Sequence, residues 1–489
     1  MDATVAVPGR DHVVVFPFMA KGHTLPLLHF AAALAARHGD DDGGGLRVTV
    51  VTTPGNVAFA RRRLPARVRV AALPFPAHPD LPPGVESTDA LPSPSLFPAF
   101  LRATARLREP FAAYLASLPS PPLALVSDFF LGFTQRAAAD AGVRRVTFHG
   151  MSAFSLALCF SLARSPPPAE TMRDGAPFRV PGFPDGVTIT ADEVPHAVLQ
   201  SEDADDPVTR FLGDEVRDWD YRSWGVLVNS FAALDGDYAA ILESFYLPGA
   251  RAWLVGPLFL AAGEEEAADD GDEDPEGCLS WLDEQAAGSV VYVSFGTQAH
   301  VAAAQLDELA HGLAGSGHAF LWAVRSESWA LPVEPGPRGK VVRGWVPQRR
   351  VLAHPAVGGF LSHCGWNSVL ESLTAGRPML AWPVMAEQAS NAKHVADVIG
   401  AGVRVGAATA EKATTLVGRA QVAEKVRELM DDGEAGRRMR ARAEQVRREA
   451  RAAVGEGGTS RVALGRLVDE LRRSYDDAGD DTAATVATS

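Results

Sequence analysis

Residues 345–388 read WVPQRRVLAHPAVGGFLSHCGWNSVLESLTAGRPMLAWPVMAEQ. Within this stretch the apolar run at 358–361 reads as a strand, the segment opening at Trp366 as a helix, and 378–382 as a second strand. Short apolar strands alternating with helices belong to a parallel sheet covered on both faces. The same rhythm begins upstream, with strands expected at 290–295 and 320–324. It also governs the first half of the chain, where strands are expected at 12–17, 46–52, 68–73, 123–126 and 143–148. Helices are expected there over 25–36, 97–118 and 131–141. The fold class is therefore α/β, with two doubly wound, Rossmann-like domains facing a cleft.

A chain of 489 residues is long enough for two to three domains, each with its own core. The weakest segment lies at 261–276, AAGEEEAADDGDEDPE, which is acidic and has no apolar periodicity, so it reads as a linker. The resulting division is an N-terminal domain over 1–250, a linker over 251–276 and a C-terminal domain over 277–458. A helix at 459–475 is expected to pack back on the N-terminal domain, and the tail 476–489 to be disordered. The formal net charge of −14 argues against nucleic acid or an anionic membrane as partner. Cys159, Cys278 and Cys364 are too few and too scattered for a disulfide framework or a zinc site. No apolar run reaches the ~18–20 residues that span a bilayer, and the N-terminus does not read as a secretory signal. A cytoplasmic protein without membrane insertion is expected.

Ligands of open parallel sheets bind outside the carboxyl ends of the strands. Two loops at such positions carry chemistry. Ser362, His363, Cys364, Gly365, Trp366, Asn367 and Ser368 follow a strand and open a helix, whose N–H groups and dipole suit a phosphate. Glu371, one turn further, suits a vicinal diol such as a ribose. The bland alternative is an Asn/Ser helix cap beside a histidine with no ligand role. The mixture of tryptophans, His, Asn-Ser, Glu and a closing Glu-Gln matches a base, a ribose, a diphosphate and a sugar. In the second loop, His23 lies six residues after Pro17. Histidine is the natural base for activating a hydroxyl near neutral pH, and a neighbouring carboxylate would orient it. Its bland alternative is a helix cap. Three other patterns are set aside: an acidic run at 272–274 within the linker, Gly315-Ser316-Gly317 without a third glycine, and Cys364, which reads as a buried small residue.

The box at 345–388 resembles the signature of the plant secondary-product UDP-glycosyltransferases of family 1. WxPQ, HxxxGxFxxHCGWNSxxE, GxPxxxxP and the closing acidic-Gln pair all stand in register. Matching pieces recur at 16–30, 126–130, 228–234, 255–258, 278–283 and 291–297. The resemblance implies a GT-B type fold and a donor site built by position. Trp345 would stack on uracil and the Val346 backbone pair with the base edge. Gln348 and Glu371 would bind ribose. His363, Asn367 and Ser368 would hold the diphosphate, with Ser294 or Thr297 nearby. Trp366, Glu387 and Gln388 would contact the sugar, and the terminal Gln favours glucose over galactose.

The resemblance also pairs His23 with Asp128. It implies an inverting O-glucosyltransferase that carries glucose from UDP-glucose to a hydroxyl of a small lipophilic acceptor, such as a flavonoid, another phenolic or a hormone. UDP-glucose is the co-substrate, with no cofactor and no metal, and a monomer is expected. Phe18, Met19, Phe129, Phe130, Phe133 and Phe154 lie on or near strand-end loops and are candidates for the acceptor pocket, with core packing as the alternative. One departure stands out: Gly150 occupies a position where many relatives carry Ser or Thr, with Ser152 close by. The rivals are a catalytically silent nucleotide-sugar-binding protein and a nicotinamide oxidoreductase. The latter needs a glycine fingerprint after the first strand, which KGHTLP is not.

Overall fold

A computed structural model of the chain describes residues 11–38, 45–195, 198, 205–263, 274–297, 299, 301–326, 328–406 and 416–487. These fall into two units. The first lies within Met1–Gly150, Asp203–Asp269 and Ala452–Ser489, and the second within Met151–Glu202 and Asp270–Arg451.

The first unit is built on seven parallel strands: β1 (His12–Phe16), β2 (Arg47–Thr52), β3 (Arg69–Ala72), β4 (Ala124–Asp128), β5 (Arg144–Phe148), β6 (Gly225–Val228) and β7 (Arg251–Leu254). Their order in the sheet is β3-β2-β1-β4-β5-β6-β7. Side chains alternate across a strand, so β1 serves two cores at once. Val13 and Val15 enter one buried cluster with Leu27, Leu34 and Trp253. Val14 and Phe16 enter the other with Phe18, Phe100, Phe111 and Phe133. That is why the strand reads as an unbroken apolar run rather than an alternating one.

The second unit repeats the plan with six parallel strands: β8 (Val290–Ser294), β9 (Ala319–Ala323), β10 (Gly339–Val342), β11 (Val357–Ser362), β12 (Met379–Ala381) and β13 (Gly402–Arg404). The order is β10-β9-β8-β11-β12-β13. In both sheets the first strand of the unit sits beside the fourth, so the winding reverses between them. That reversal is where open α/β sheets leave a crevice for ligand.

Several boundaries differ from the sequence reading. The described residues within 151–202 group with the second unit rather than with the N-terminal domain. Residues 251–254 are the edge strand β7, and Leu258–Ala261 is a short helix, so the connecting segment starts later than 251. Most of that segment, 264–273, lies outside the described residues. The helix expected over 97–118 is two, Phe97–Ala105 and Arg108–Ala116, because i→i+3 bonds at Arg106 and Leu107 tighten the chain between them. The last helix runs Thr459–Ala487, so residues 476–487 continue it rather than forming a disordered tail. Once a helix is nucleated by packing, each added residue costs little, and the tail's Ala residues are good helix formers. The packing is supplied by Leu464, Leu467, Val468 and Leu471, all buried in the first unit's core. No helix among the described residues is long and apolar enough to cross a membrane.

Candidate active site

The first unit's site forms where β1 and β4 run side by side. Phe16 pairs with Ser127 in the register, so the next residue of β4, Asp128, lies at the carboxyl edge beside the chain leaving β1. His23 is in the first turn of the helix Lys21–His38 rather than in a loop before it. Its Nδ1 is 2.7 Å from Asp128 Oδ2. The Asp128 side chain is fully buried, while that of His23 keeps 24% exposure. A carboxylate accepts, so Nδ1 carries the hydrogen and Nε2 keeps the basic lone pair.

Asp128 is itself held on two further sides. Phe130 N–H donates to its Oδ1 at 3.0 Å, and Arg145 Nη2 donates to its backbone carbonyl at 3.1 Å. Arg145 is buried and also donates to Ser127 Oγ, Ser223 Oγ and Asp220 Oδ1. Asp220 further accepts from Thr147 and bonds to His149. Burial alone would raise the Asp220 carboxyl, but His149, Arg145 and Thr147 outweigh it and hold it near 2. This buried network was not anticipated from the sequence.

Aromatic rings surround His23. Phe130, Phe18 and Phe129 have centroids 5.6, 5.8 and 6.1 Å from the imidazole. Phe129 is half-buried and stacks on His149 at 4.5 Å. Phe18 and Met19 are almost fully buried, so they back the site from within the core. Phe133 is buried and packs against Phe16 and Phe111. Phe154 belongs to the second unit, where it is fully buried and stacked on His394 at 4.5 Å. Gly150 has φ of +74°, a conformation that favours glycine, and a Cβ there would lie 3.6 Å from His23 Nδ1.

The second unit's site occupies the same place in its own sheet. Ser294 and Ser362, the last residues of β8 and β11, pair in register. After β11 come His363, then Cys364 at φ +64°, then Gly365, which leads into the helix Trp366–Thr374 without a side-chain cap. A non-glycine residue in the left-handed region is uncommon and often marks a functional turn. The His363 ring lies between two glycines. A Cβ at Gly296 would come within 2.8 Å of its Cε1 and Nε2, and one at Gly365 within 2.6 Å of Nε2. Burial pushes the His363 imidazole down to about 4, partly opposed by a hydrogen bond to the Ser294 backbone. It is therefore neutral at pH 7, and its Nδ1 has no hydrogen-bond partner among the described residues.

Ser368 and Glu371 of the same helix belong to the next cluster. Gln348 Nε2 donates to Glu371 Oε2 at 2.6 Å and to Ser368 Oγ at 3.0 Å. Tyr292 hydroxyl donates to Gln348 Oε1 at 3.2 Å, a partner the sequence reading missed. The proposed ribose residues Gln348 and Glu371 are thus already in contact. Trp345 is 37% exposed on the loop before them, and Val346 is mostly buried. Thr297 is exposed, Ser294 buried and Asn367 half-buried. Trp366 departs from expectation: its residue is 2% exposed and its ring runs nearly parallel to His394, so its indole is core and the helix start is what it presents. Gln388 Oε1 accepts from the N–H groups of Val384 and Met385, which turns its amide nitrogen the other way. Glu387 Oε1 accepts from Asn391 at 3.0 Å. Burial pushes the Cys364 thiol up to about 12, which removes it as a nucleophile.

A family described as UDP-glucoronosyl and UDP-glucosyl transferase matches residues 265–432. The chain is 37% identical to UDP-glycosyltransferase 73B4 of Arabidopsis thaliana over 94% of its own length and 98% of that protein's. It is equally 37% identical to anthocyanin 3'-O-beta-glucosyltransferase of Gentiana triflora, again over 94% and 98%. Among solved structures, Glycyrrhiza uralensis UGT73P12 complexed with glycyrrhetinic acid 3-O-monoglucuronide superposes with a TM-score of 0.85 at 29% identity, covering 98% of this chain and 99% of that one.

Proposed function

Because this chain belongs to the plant family 1 UDP-glycosyltransferases, we propose that it transfers glucose from UDP-glucose to a hydroxyl of a small lipophilic acceptor, with inversion at the anomeric carbon. His23 Nε2 takes the acceptor's proton as the acceptor oxygen bonds to the anomeric carbon. The bond from that carbon to the diphosphate breaks, and UDP leaves with the electron pair. Asp128 holds the imidazole and offsets its developing positive charge. The leaving diphosphate's charge is met by the start of the Trp366 helix with His363, Asn367 and Ser368, in place of a cation. Gln348 and Glu371 take the ribose hydroxyls, exchanging their mutual hydrogen bond for bonds to the diol. Trp345, the exposed ring beside them, takes the uracil.

The observation that carries this reading is the 2.7 Å bond between a partly exposed His23 and a fully buried Asp128. A protein that only bound nucleotide sugars would need neither residue. A phenolic acceptor is favoured by the aromatic surround of His23 and by the likeness to the anthocyanin glucosyltransferase. The test is UDP release from UDP-glucose with a panel of phenolic acceptors, comparing wild type with His23→Ala, and the anomeric configuration of the product. Undiminished turnover in His23→Ala would remove the base from the mechanism. No turnover with any acceptor would favour the silent binding protein.

A further inference from the structure

Asn391 is fully buried, and its partners determine its amide completely. Nδ2 donates to the Cys364 carbonyl at 2.9 Å and to Glu387 Oε1 at 3.0 Å. Both of those oxygens can only accept, so the amino group must face them. On its other side, Oδ1 accepts from Ser155 Oγ at 2.7 Å, with Ser152 Oγ further off at 3.4 Å. Ser155 is in turn bonded to Ser390, whose hydroxyl also reaches the Glu387 carbonyl. A flipped amide would set its oxygen against two acceptors, the Cys364 carbonyl and Glu387 Oε1.

We infer that Asn391 is the positioning residue for Glu387, fixing the plane of the carboxylate that meets the transferred sugar. This rests on the donor-site reading above. A glutamate side chain has three rotatable bonds, and a carboxylate that samples several rotamers gives little discrimination between ground and transition state. One charge-assisted hydrogen bond from a group that cannot itself rotate removes that freedom. The anchor at the other end is the carbonyl of Cys364, held in the left-handed turn between His363 and Gly365. The turn that follows His363 and the carboxylate of Glu387 are thereby joined through one amide. Ala386, at φ +54° just before Glu387, marks the same loop as conformationally constrained. Helices Ala153–Arg164 and Gln388–Lys393 supply the fixed parts, Ser155 and Asn391, so the device stands on regular elements.

The test is a double-mutant cycle with Asn391→Ala, Glu387→Ala and the pair, reading kcat/KM for UDP-glucose alongside the inhibition constant of UDP. The expected result for Asn391→Ala is a loss of kcat/KM of about tenfold or more, the scale of a buried hydrogen bond to a charge. That loss should exceed any loss in UDP affinity, and the excess should vanish when Glu387 is already Ala. A purely structural role would lower kcat/KM and UDP affinity in parallel, in either background, and that result overturns the inference. Should Asn391→Ala fail to fold, Ser155→Ala removes the nearer donor to Oδ1 and so loosens the amide; it runs through the same cycle, with a smaller loss of the same pattern expected. An inactive wild type would count against the proposed function as a whole. An active wild type with additive losses would count against Asn391 alone.

Discussion

Replacing Asp128 by Asn tests the proposed base more sharply than removing the base itself. The substitution is isosteric, and the structure dictates how the amide must sit. Phe130 N–H points at Oδ1 from 3.0 Å and demands an acceptor there. The amide oxygen takes that place, which turns the NH₂ group toward His23 Nδ1, 2.7 Å from the other oxygen. Two donors cannot share that contact, so the imidazole shifts its hydrogen to Nε2, the atom that must accept the acceptor's proton. General-base catalysis by a positioned side chain is worth about 10²–10⁴-fold, and the equivalent change in the Ser-His-Asp triad costs about 10⁴ in kcat. His23 is less enclosed, at 24% exposure, so water can partly restore the useful tautomer. The expected loss in kcat is about 10²–10³-fold, or roughly 3–4 kcal/mol of transition-state stabilisation. Arg145 bonds the backbone carbonyl of Asp128, not its carboxylate, so the strand end should stay in place. The assay is steady-state UDP release from UDP-glucose at saturating acceptor, with the inhibition constant of UDP and the melting temperature as controls. A kcat within about threefold of wild type would refute the tautomer argument.

Gly296→Ala should weaken UDP binding about tenfold by calorimetry, since a left-handed Ala costs about 1–2 kcal/mol and its Cβ would meet the His363 ring at 2.8 Å; unchanged affinity would place the diphosphate elsewhere. Acidification should destabilise the fold between about pH 6.5 and 4. His12 and His363 are both lowered to about 4 by burial, so in that window the unfolded chain binds more protons than the folded one and stability rises with pH. A urea midpoint at pH 5 at or above that at pH 7 would contradict this. Leu467→Ala in the C-terminal helix should cost about 2–5 kcal/mol in urea unfolding, because Leu467 is 1% exposed in the first unit's core. A cost under about 1 kcal/mol would mean that the helix is not integral to that core.

The long apolar strands were legible because burial on both faces writes itself as a continuous run. β1 and β8 are of this kind, and each was found within about two residues. The missed strands β6, β7, β10 and β13 have three or four residues each, too few for any period to emerge. Two of them, β7 and β10, lie at sheet edges, and β13 is an edge of its sheet as well. One half-open face relaxes the demand for apolar residues there. The grouping of residues 151–202 with the second unit could not be read at all, because it depends on tertiary partners. Glu193 reaching Lys393 and Arg404, and Phe154 reaching His394, are contacts across some two hundred positions.

The site shows a similar divide, for a different reason. The residues proposed to meet a ligand stood out because their types are chemically odd where they stand: a histidine after a strand, an Asn-Ser pair opening a helix, a glutamate one turn on. The residues that hold them were missed because nothing in their type distinguishes them from ordinary buried polar groups. Arg145 and Asp220 are such a pair, invisible until Arg145 is seen to hold the backbone of Asp128. Asn391 had one signal, its spacing of four from Glu387, which places both on one helical face. Trp366 is the converse case, odd in type yet turned into the core. Chemical type therefore locates where a site must be, while burial and hydrogen-bond direction decide which of its residues touch substrate and which only orient the others.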